Sequence, residues 1–246
     1  MPTSSALREF AEAPAAWGEI DPGSGYSRVL TNRYCLIWGR SPSYTQVSRL
    51  RLDDDTVAET LHEVRTTAAE HGRRSVEWDV SSSATPSDLV DRLVTHGLVA
   101  HDHQTSLVLD TEPPRVDAVL VRPVASADDL READAVSRAA FGSEPGPPAR
   151  DMRVYLAFLD GRPVGTARLL LDAGTPGGLL LGGCVREEAR GRGVYRALVR
   201  ARWDDAVAGG FAGVCVQARA TSRSILERLA FETVAEHEIL IDPSTC

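Results

Sequence analysis

Residues 185–198 read VREEARGRGVYRAL, which sets two glycines and three arginines (Arg186, Arg190 and Arg192) just ahead of a helical pattern. A loop that only had to turn would need one glycine. A helix N-terminus leaves its first four backbone N–H groups unpaired and carries an effective charge of about +0.5, so a strand-to-helix corner is a natural anion site. Gly191 and Gly193 remove the Cβ atoms that would block an anion and permit positive φ. Arg190 and Arg192 add charge-assisted contacts to phosphate oxygens. The plain alternative is a solvated arginine-rich turn. The loop follows an apolar strand pattern and opens an amphipathic helix pattern, as an anion site requires.

Two other phosphate loops fail on spelling. No G-x-x-x-x-G-K-[ST] string occurs, and a dinucleotide fingerprint starting at Gly191 would need glycine where Arg196 stands.

The elements that position this loop are readable from residue 116 onward. VDAVLVRPV (116–124) reads as a strand, and Ser126 followed by Asp129 caps a helix to about Phe141. Residues 142–149, GSEPGPPA, are too rich in glycine and proline for regular structure. RVYLAFL (153–159), the Asp160-Gly161 turn and PVGTARLLL (163–171) form a hairpin. The apolar strand Leu179 to Val185 delivers the chain to the loop. Val194, Ala197, Leu198 and Ala201 then recur at the spacing of one buried helix face, which Gly209-Gly210 ends. A strand at 213–218, a helix at 222–229 and a strand at 233–241 complete this half.

The first half repeats the order. Strands are expected at 34–38 and 45–52, a helix face at Val57, Leu61, Val64 and Ala68, a strand at 75–80, a helix at 86–96 and a strand at 98–110. DLVDRLVTHGLVA (88–100) and SILERLAFETVA (224–235) share one helix, break and strand logic, which reads as an internal duplication with TEPPRVD (111–117) as linker. Where the second copy has RGRGV, the first has DDDTV (53–57). Carboxylates at a helix N-terminus suit its dipole but repel phosphate.

Composition narrows the class. At 246 residues the chain is long enough for two domains of about 110–130 residues, each with its own core. The formal charge of −8 argues against broad nucleic-acid binding. No run approaches the roughly 20 apolar residues of a membrane span, and the N-terminus lacks a leader pattern, so the expected location is the cytoplasm. Cys35, Cys184, Cys215 and Cys246 are isolated, as buried thiols in a reducing compartment would be, and no metal cluster is expected. His101 and His103 could share a strand face as metal ligands, but a solvated strand face is the simpler reading.

VREEARGRGVYRALV (185–199) resembles the R/Q-x-x-G-x-G/A loop of the GNAT superfamily of acyl-CoA-dependent N-acyltransferases, supported by YLAFLDGRPVGTARLLL (155–171) and ILERLAFETV (225–234). The first half resembles the worn N-terminal half of tandem GNAT proteins. The resemblance implies an α/β fold of two GNAT-like domains, each a mixed central sheet flanked by helices. Residues 1–112 would be the degenerate copy without the cofactor loop, and 113–246 the acyl-CoA-binding copy. Acetyl-CoA would be the co-substrate, its pantetheine arm lying between the strands that include Leu181 to Val185, Cys184 among them, and Val214 to Ala218. The N–H groups of Gly191, Gly193, Val194 and Tyr195, with Arg190 and Arg192 nearby, would hold the pyrophosphate, and an N–H near Val185 would polarise the thioester carbonyl.

Departures from the family pattern matter too. Tyr195 replaces the last small residue of the loop, Leu226 stands where the family often has a proton-donating tyrosine, and Ala230 replaces a helix-closing glycine. Ser222 or Ser224 would have to reach the thiolate instead. Glu144 and Asp151 flank the irregular segment and could act as bases, direct or through a water, although an ordinary surface carboxylate is the simpler reading of each. The acceptor would be a small-molecule or peptide amine; neither nucleic acid nor membrane is an expected partner, and a homodimer is compatible with the reading. A non-catalytic acyl-CoA-binding or regulatory protein is the alternative, and a nucleotide-binding protein a third.

Overall fold

The computed structural model describes residues 4–41, 44–142, 148–149 and 151–243. In chain order its helices are α1 (Ser5–Glu12), α2 (Val57–Glu70), α3 (Leu89–Thr95), α4 (Ala127–Phe141), α5 (Val194–Ala208) and α6 (Ala220–Glu227). Its strands are β1 (Ser27–Leu30), β2 (Cys35–Trp38), β3 (Thr45–Ser48), β4 (Val76–Ser81), β5 (Val99–Leu109), β6 (Leu120–Pro123), β7 (Met152–Leu159), β8 (Arg162–Leu170), β9 (Gly178–Val185), β10 (Val214–Arg219) and β11 (Glu232–Asp242). This is the expected α/β arrangement of mixed sheet and flanking helices.

Two compact units divide the chain, and both are discontinuous. The loop-bearing unit holds Met1–Leu7, Val108–Val216 and Ile225–Glu232; the companion unit holds Arg8–Leu107, Gln217–Ser224 and Thr233–Cys246.

In the loop-bearing unit β6, β7, β8 and β9 form an antiparallel meander. Strand β10 joins β9 in parallel. Helix α4 starts as its sequence requires: Ser126 Oγ accepts the Asp129 N–H at 3.1 Å, and Gly142 ends the helix in the left-handed region. Asp129 also receives a fork of two hydrogen bonds from Arg122, at 2.7 and 2.6 Å, which with the Ala125 N–H holds its carboxyl well below the usual range.

The two helices cover opposite faces of this sheet. Ala133 of α4 packs with Val154 and Leu156, and Leu156 pairs with Thr166. One residue earlier, Gly165 faces α5 so closely that a Cβ there would lie 2.7 Å from Val194 Cγ1. Alternation along β8 therefore puts Thr166 on the α4 face and Gly165 on the α5 face.

The companion unit carries β1, β2 and β3 in antiparallel order, β4 parallel to β3, and β11 antiparallel to β4 from His237↔Ser81 to Asp242↔Val76. Its core gathers Tyr34, Leu36, Trp78, Val64, Leu93 and Leu240. The strand at the end of the chain thus completes the sheet built from the first half.

Three local readings change. Strand β3 stops at Ser48 because Arg49 takes φ of 54°, where an extended ladder cannot continue. The buried face of α5 runs through Val194, Ala197 and Leu198 to Arg202, with Ala201 half-buried beside it. Helix α1 and strand β1 lie in a region for which the sequence reading offered no element; Leu7, Phe10 and Ala11 of α1 are all buried.

Candidate active site

Strands β9 and β10 pair only at Val214↔Gly178 and Cys215↔Leu179. Beyond those two pairs β9 continues on β8 alone as far as Val185. The parallel strands therefore part just where the chain approaches the glycine loop. On the β8 side the register between Thr166↔Cys184 and Arg168↔Leu181 takes one more residue from β9 than from β8, a bulge at Gly182-Gly183. Gly182 has φ of 53° and is exposed on the α4 side, where it lines a cavity. A bulge leaves one residue out of the ladder, so its backbone groups are available to a ligand.

After β9 a short 3-10 turn at Glu187–Ala189 leads into Gly191 (φ 75°) and Gly193 (φ 83°). Ala197 is the residue whose N–H closes the first turn of α5, on Gly193 O at 3.0 Å. No side chain caps α5 and its first turn carries no acid. In contrast α4 has both a serine cap and two aspartates. A Cβ on Gly191 would meet nothing within 4 Å, so its glycine answers to backbone conformation and to whatever approaches from outside. Arg190 and Arg192 are exposed beside it, Arg192 reaching Asp160 only at 3.4 Å. The donor set of open N–H groups plus two guanidinium groups fits a pyrophosphate.

Tyr195 turns inward. A Cβ on Gly183 would sit 3.1 Å from its ring and 3.5 Å from Arg202 Nη2, so the ring and the guanidinium lie side by side. Arg202 is 1% exposed; its Nε donates to Leu198 O at 2.9 Å and its Nη1 to Arg168 O at 3.2 Å, while Nη2 has no partner among the described residues. Burial pulls its pKa down, and Tyr195 and Tyr155 pull it back up. A buried positive charge thus lies beside Gly183 of the bulge, with the Tyr195 ring next to it.

The cavity beside Gly182 has a volume of about 170 Å³ and is walled by α4 and β8, with Asp134, Ser137, Thr166 and Arg168 among its polar residues. Nothing in the sequence reading assigned these four; they come from two elements whose faces only the pairing of β7 and β8 sets. Val185 is half-buried at the end of β9, and Cys184 is buried with its thiol pushed up to about 11 by burial. Burial also raises Cys35 to about 11 and raises Cys215, so these three thiols stay protonated and inert as nucleophiles.

Of the proton-transfer candidates, Glu144 lies outside the described residues. Asp151 is exposed in the turn before β7, where its carbonyl accepts the Leu171 N–H. Ser222 falls in the companion unit and its hydroxyl donates to Arg219 O at 3.2 Å. Leu226 is wholly buried, and Ala230 adopts the φ of 65° that the family's glycine would supply.

The companion unit has a parallel fork as well, with β3 and β4 paired only at Gln46↔Glu77 and Val47↔Trp78. Here the fork is closed: Leu52 N–H donates to Thr85 O at 3.1 Å, Thr85 N–H to Leu50 O at 3.3 Å and Thr85 Oγ1 to Leu52 O at 2.9 Å. Asp54, at the following corner, pairs with Arg92. A closed fork with carboxylates at its helix has neither the opening nor the charge for a phosphate.

The same unit contains a serine–histidine–aspartate line that was not legible in the sequence. Ser106 Oγ lies 2.8 Å from His237 Nε2, and His237 Nδ1 lies 2.6 Å from Asp79 Oδ1. The spacing is that of a nucleophile, its base and an orienting acid. Yet Ser106 and His237 are 0% exposed, and the serine hydroxyl also donates to Ala11 O at 2.8 Å. No substrate reaches a hydroxyl so enclosed, and the line is a structural clamp.

His103, the strand-face histidine, bonds two carboxylates, Glu238 at Nδ1 (3.0 Å) and Glu236 at Nε2 (3.1 Å), while His101 is exposed. No group of residues suited to hold a metal occurs among the described residues. The bond to Glu238 first, then that to Glu236, raises the His103 pKa. A raised folded pKa means that this stabilisation is complete below the unfolded value near pH 6.5 and disappears as pH climbs through the folded value. The urea midpoint of the wild type is expected to fall on the alkaline side of about pH 6.5, and His103→Gln should flatten that fall. Parallel curves for the two proteins would reject the assignment.

A model of the Acetyltransferase (GNAT) family matches residues 127–231. No curated protein matches. Among solved structures, a GCN5-related N-acetyltransferase from Kribbella flavida superposes with a TM-score of 0.73 at 20% identity, covering 98% of this chain and 97% of that one. A GCN5-related N-acetyltransferase from Sphaerobacter thermophilus gives 0.62 at 17%, covering 87% and 81%. A tandem GNAT protein from the clavulanic acid biosynthesis pathway gives 0.59 at 15%, covering 96% and 87%. These likenesses extend the shared fold over nearly the whole chain. No helix among the described residues is long and apolar enough to cross a membrane.

Proposed function

We propose, from the match of residues 127–231 to the model of the Acetyltransferase (GNAT) family, that the protein transfers an acyl group, acetyl foremost, from acyl-CoA to the nitrogen of a primary amine. The observation that carries this reading is the uncapped helix N-terminus at Gly191–Gly193, set at the end of a strand that leaves its parallel partner after two pairs.

Bound acetyl-CoA supplies an activated thioester whose carbonyl carbon accepts the amine nitrogen, the C–S bond breaking as the N–C bond forms and one amine proton ending on sulfur. The chain's own residues do the rest. Open N–H groups from Gly191 to Tyr195, with Arg190 and Arg192, hold the pyrophosphate. A backbone N–H near Val185 polarises the carbonyl and stabilises the developing oxyanion. The cavity beside Gly182 receives the amine, so that proximity provides much of the rate. The companion unit, whose fork is closed, contributes no second cofactor site.

One observation favours a second reading, a non-catalytic acyl-CoA sensor: wholly buried Leu226 stands where a proton donor would be. Thermal denaturation with acetyl-CoA, CoA and ATP, followed by release of free CoA thiol with a panel of amines, separates the readings. Acetyl-CoA at 100 times its Kd should add about 2.7 kcal/mol of stability. Stabilisation with amine-dependent thiol release supports the transferase, stabilisation without it supports the sensor, and a response to ATP alone overturns both.

A further inference from the structure

Resting on the transferase reading, we propose that Arg202 is a positioning residue of acyl transfer: from the α5 side it clasps the β9 bulge, and its charge, which no carboxylate neutralises among the described residues, steadies the negative charge that the departing sulfur acquires. Gly182 and Gly183 of β9 together face Ala167 alone, because the ladder passes from Thr166↔Cys184 to Arg168↔Leu181. The two glycines look opposite ways. Gly182 is exposed and lines the cavity beside α4, whereas a Cβ on Gly183 would point toward α5, 3.5 Å from Arg202 Nη2 and 3.8 Å from Nη1. Arg202 Nη1 donates to Arg168 O at 3.2 Å, next to the skipped register, and Nε donates to Leu198 O of its own helix at 2.9 Å. One guanidinium thus ties α5 to the strand against which the bulge is set.

A cation in that place is costly. Arg202 is 1% exposed; burial pulls its pKa down, and what opposes the pull is a pair of phenols, Tyr195 of α5 and Tyr155 of β7, rather than a carboxylate. Asp205 of α5 is engaged instead by the Tyr155 hydroxyl at 2.6 Å and by Arg153 at 2.9 Å. On the opposite face Arg168 and Asp134 stand 3.6 Å apart and offset each other, and burial keeps the Cys184 thiol protonated. A guanidinium remains charged at neutral pH. Replacing buried charged groups by well-packed apolar side chains of similar volume is often neutral or stabilising, so the fold alone does not call for arginine here. A fixed charge without a counter-ion acts strongly on charge that develops nearby in a water-poor site. During transfer the amine nitrogen bonds to the carbonyl carbon, the electron pair of the C–S bond settles on sulfur, and the proton shed by nitrogen follows it there. Wholly buried Leu226 supplies no proton at that moment, which leaves the Arg202 charge to stabilise the sulfur.

The test uses the full chain with CoA, acetyl-CoA and desulfo-CoA. Thermal stabilisation by CoA and turnover of acetyl-CoA with a panel of amines come first, because the absence of either overturns the transferase reading and this inference with it. The ultraviolet absorbance of the CoA thiolate is then titrated against pH in the complex, with the desulfo-CoA complex as blank so that the protein's own thiols and phenols cancel. The thiol bound to the wild type is expected to ionise at a pH about 1 or more below that of free CoA, a displacement that Arg202→Met should abolish. The same variant should keep the CoA thermal shift, unfold in no less urea than the wild type, and lose about 10- to 100-fold in kcat with KM for acetyl-CoA within about threefold. Should Arg202→Met not fold, Arg202→Gln, which retains an amide donor for Arg168 O, replaces it, and the comparison of wild type with free CoA stands without either variant. A bound thiol that ionises like free CoA, a displacement that survives loss of the guanidinium, an unchanged kcat, or loss of CoA binding on substitution would each overturn the inference and leave the transferase reading standing.

Discussion

Gly193→Asp is expected to abolish stabilisation by acetyl-CoA, whereas Asp54→Asn should leave it at full size. Gly193 takes φ of 83° as the N-cap of α5, and a Cβ there would lie 3.0 Å from Val116 Cγ1. A non-glycine residue held in that region costs about 1–3 kcal/mol of folding stability. An acid at a helix N-terminus returns about 0.3–1 kcal/mol through the dipole, so a folded variant remains to be assayed. The new carboxylate would occupy the cluster of open N–H groups and repel the pyrophosphate, and the cofactor-dependent gain of about 2.7 kcal/mol at 100 times Kd should fall to nothing. Asp54 is 80% exposed in its pair with Arg92, and a surface pair of that kind contributes about 0–1 kcal/mol. Its loss touches no cofactor contact. Comparable loss of binding in both variants would refute the asymmetry between the open and the closed fork.

That asymmetry was half legible in the sequence. RGRGV against DDDTV marks which corner can hold an anion, because local spelling decides charge and permitted φ. It does not tell that the first fork is also shut, since the Thr85 bonds to Leu50 and Leu52 join segments more than thirty residues apart. The same division runs through the fold. The start of helix α4 could be placed from Ser126 and Asp129, its end near Phe141 from the glycine- and proline-rich run that follows, and the β7–β8 hairpin from Asp160-Gly161, because caps and turns are short-range devices. The partner of β11 was beyond reach, since an apolar strand pattern at 233–241 says nothing about which sheet it joins. The cavity beside Gly182 was hidden for a related reason. Asp134 and Arg168 read as ordinary charges on a helix and a strand, and only the α4 face of β8 brings them together.

The largest stability effect is expected at Asp79, the acid of the buried serine–histidine–aspartate line. Asp79 Oδ1 meets His237 Nδ1 at 2.6 Å and Oδ2 accepts from Gln217 Nε2 at 3.1 Å, all within the companion unit. Asp79→Ala leaves the buried His237 ring nitrogen without its acceptor, which costs about 1–3 kcal/mol, and adds a smaller loss at the half-buried Gln217 amide, so the expected loss exceeds that of a single buried group in urea denaturation. Ser106→Ala should cost less, about 1–3 kcal/mol, because it removes only the hydroxyl between Ala11 O and His237 Nε2 and leaves the acid and its other contacts in place. The order of the two losses separates a clamp from a catalyst. Were Ser106 a nucleophile, its removal would abolish acyl transfer and leave folding almost unchanged, while Asp79→Ala would slow the chemistry without unfolding the chain. A clamp gives the opposite pattern: both variants lose stability, Asp79→Ala more than Ser106→Ala, and whatever fraction remains folded binds acetyl-CoA and releases thiol at the wild-type rate. Amine-dependent thiol release per folded molecule, measured for Ser106→Ala well below its unfolding midpoint, decides between them.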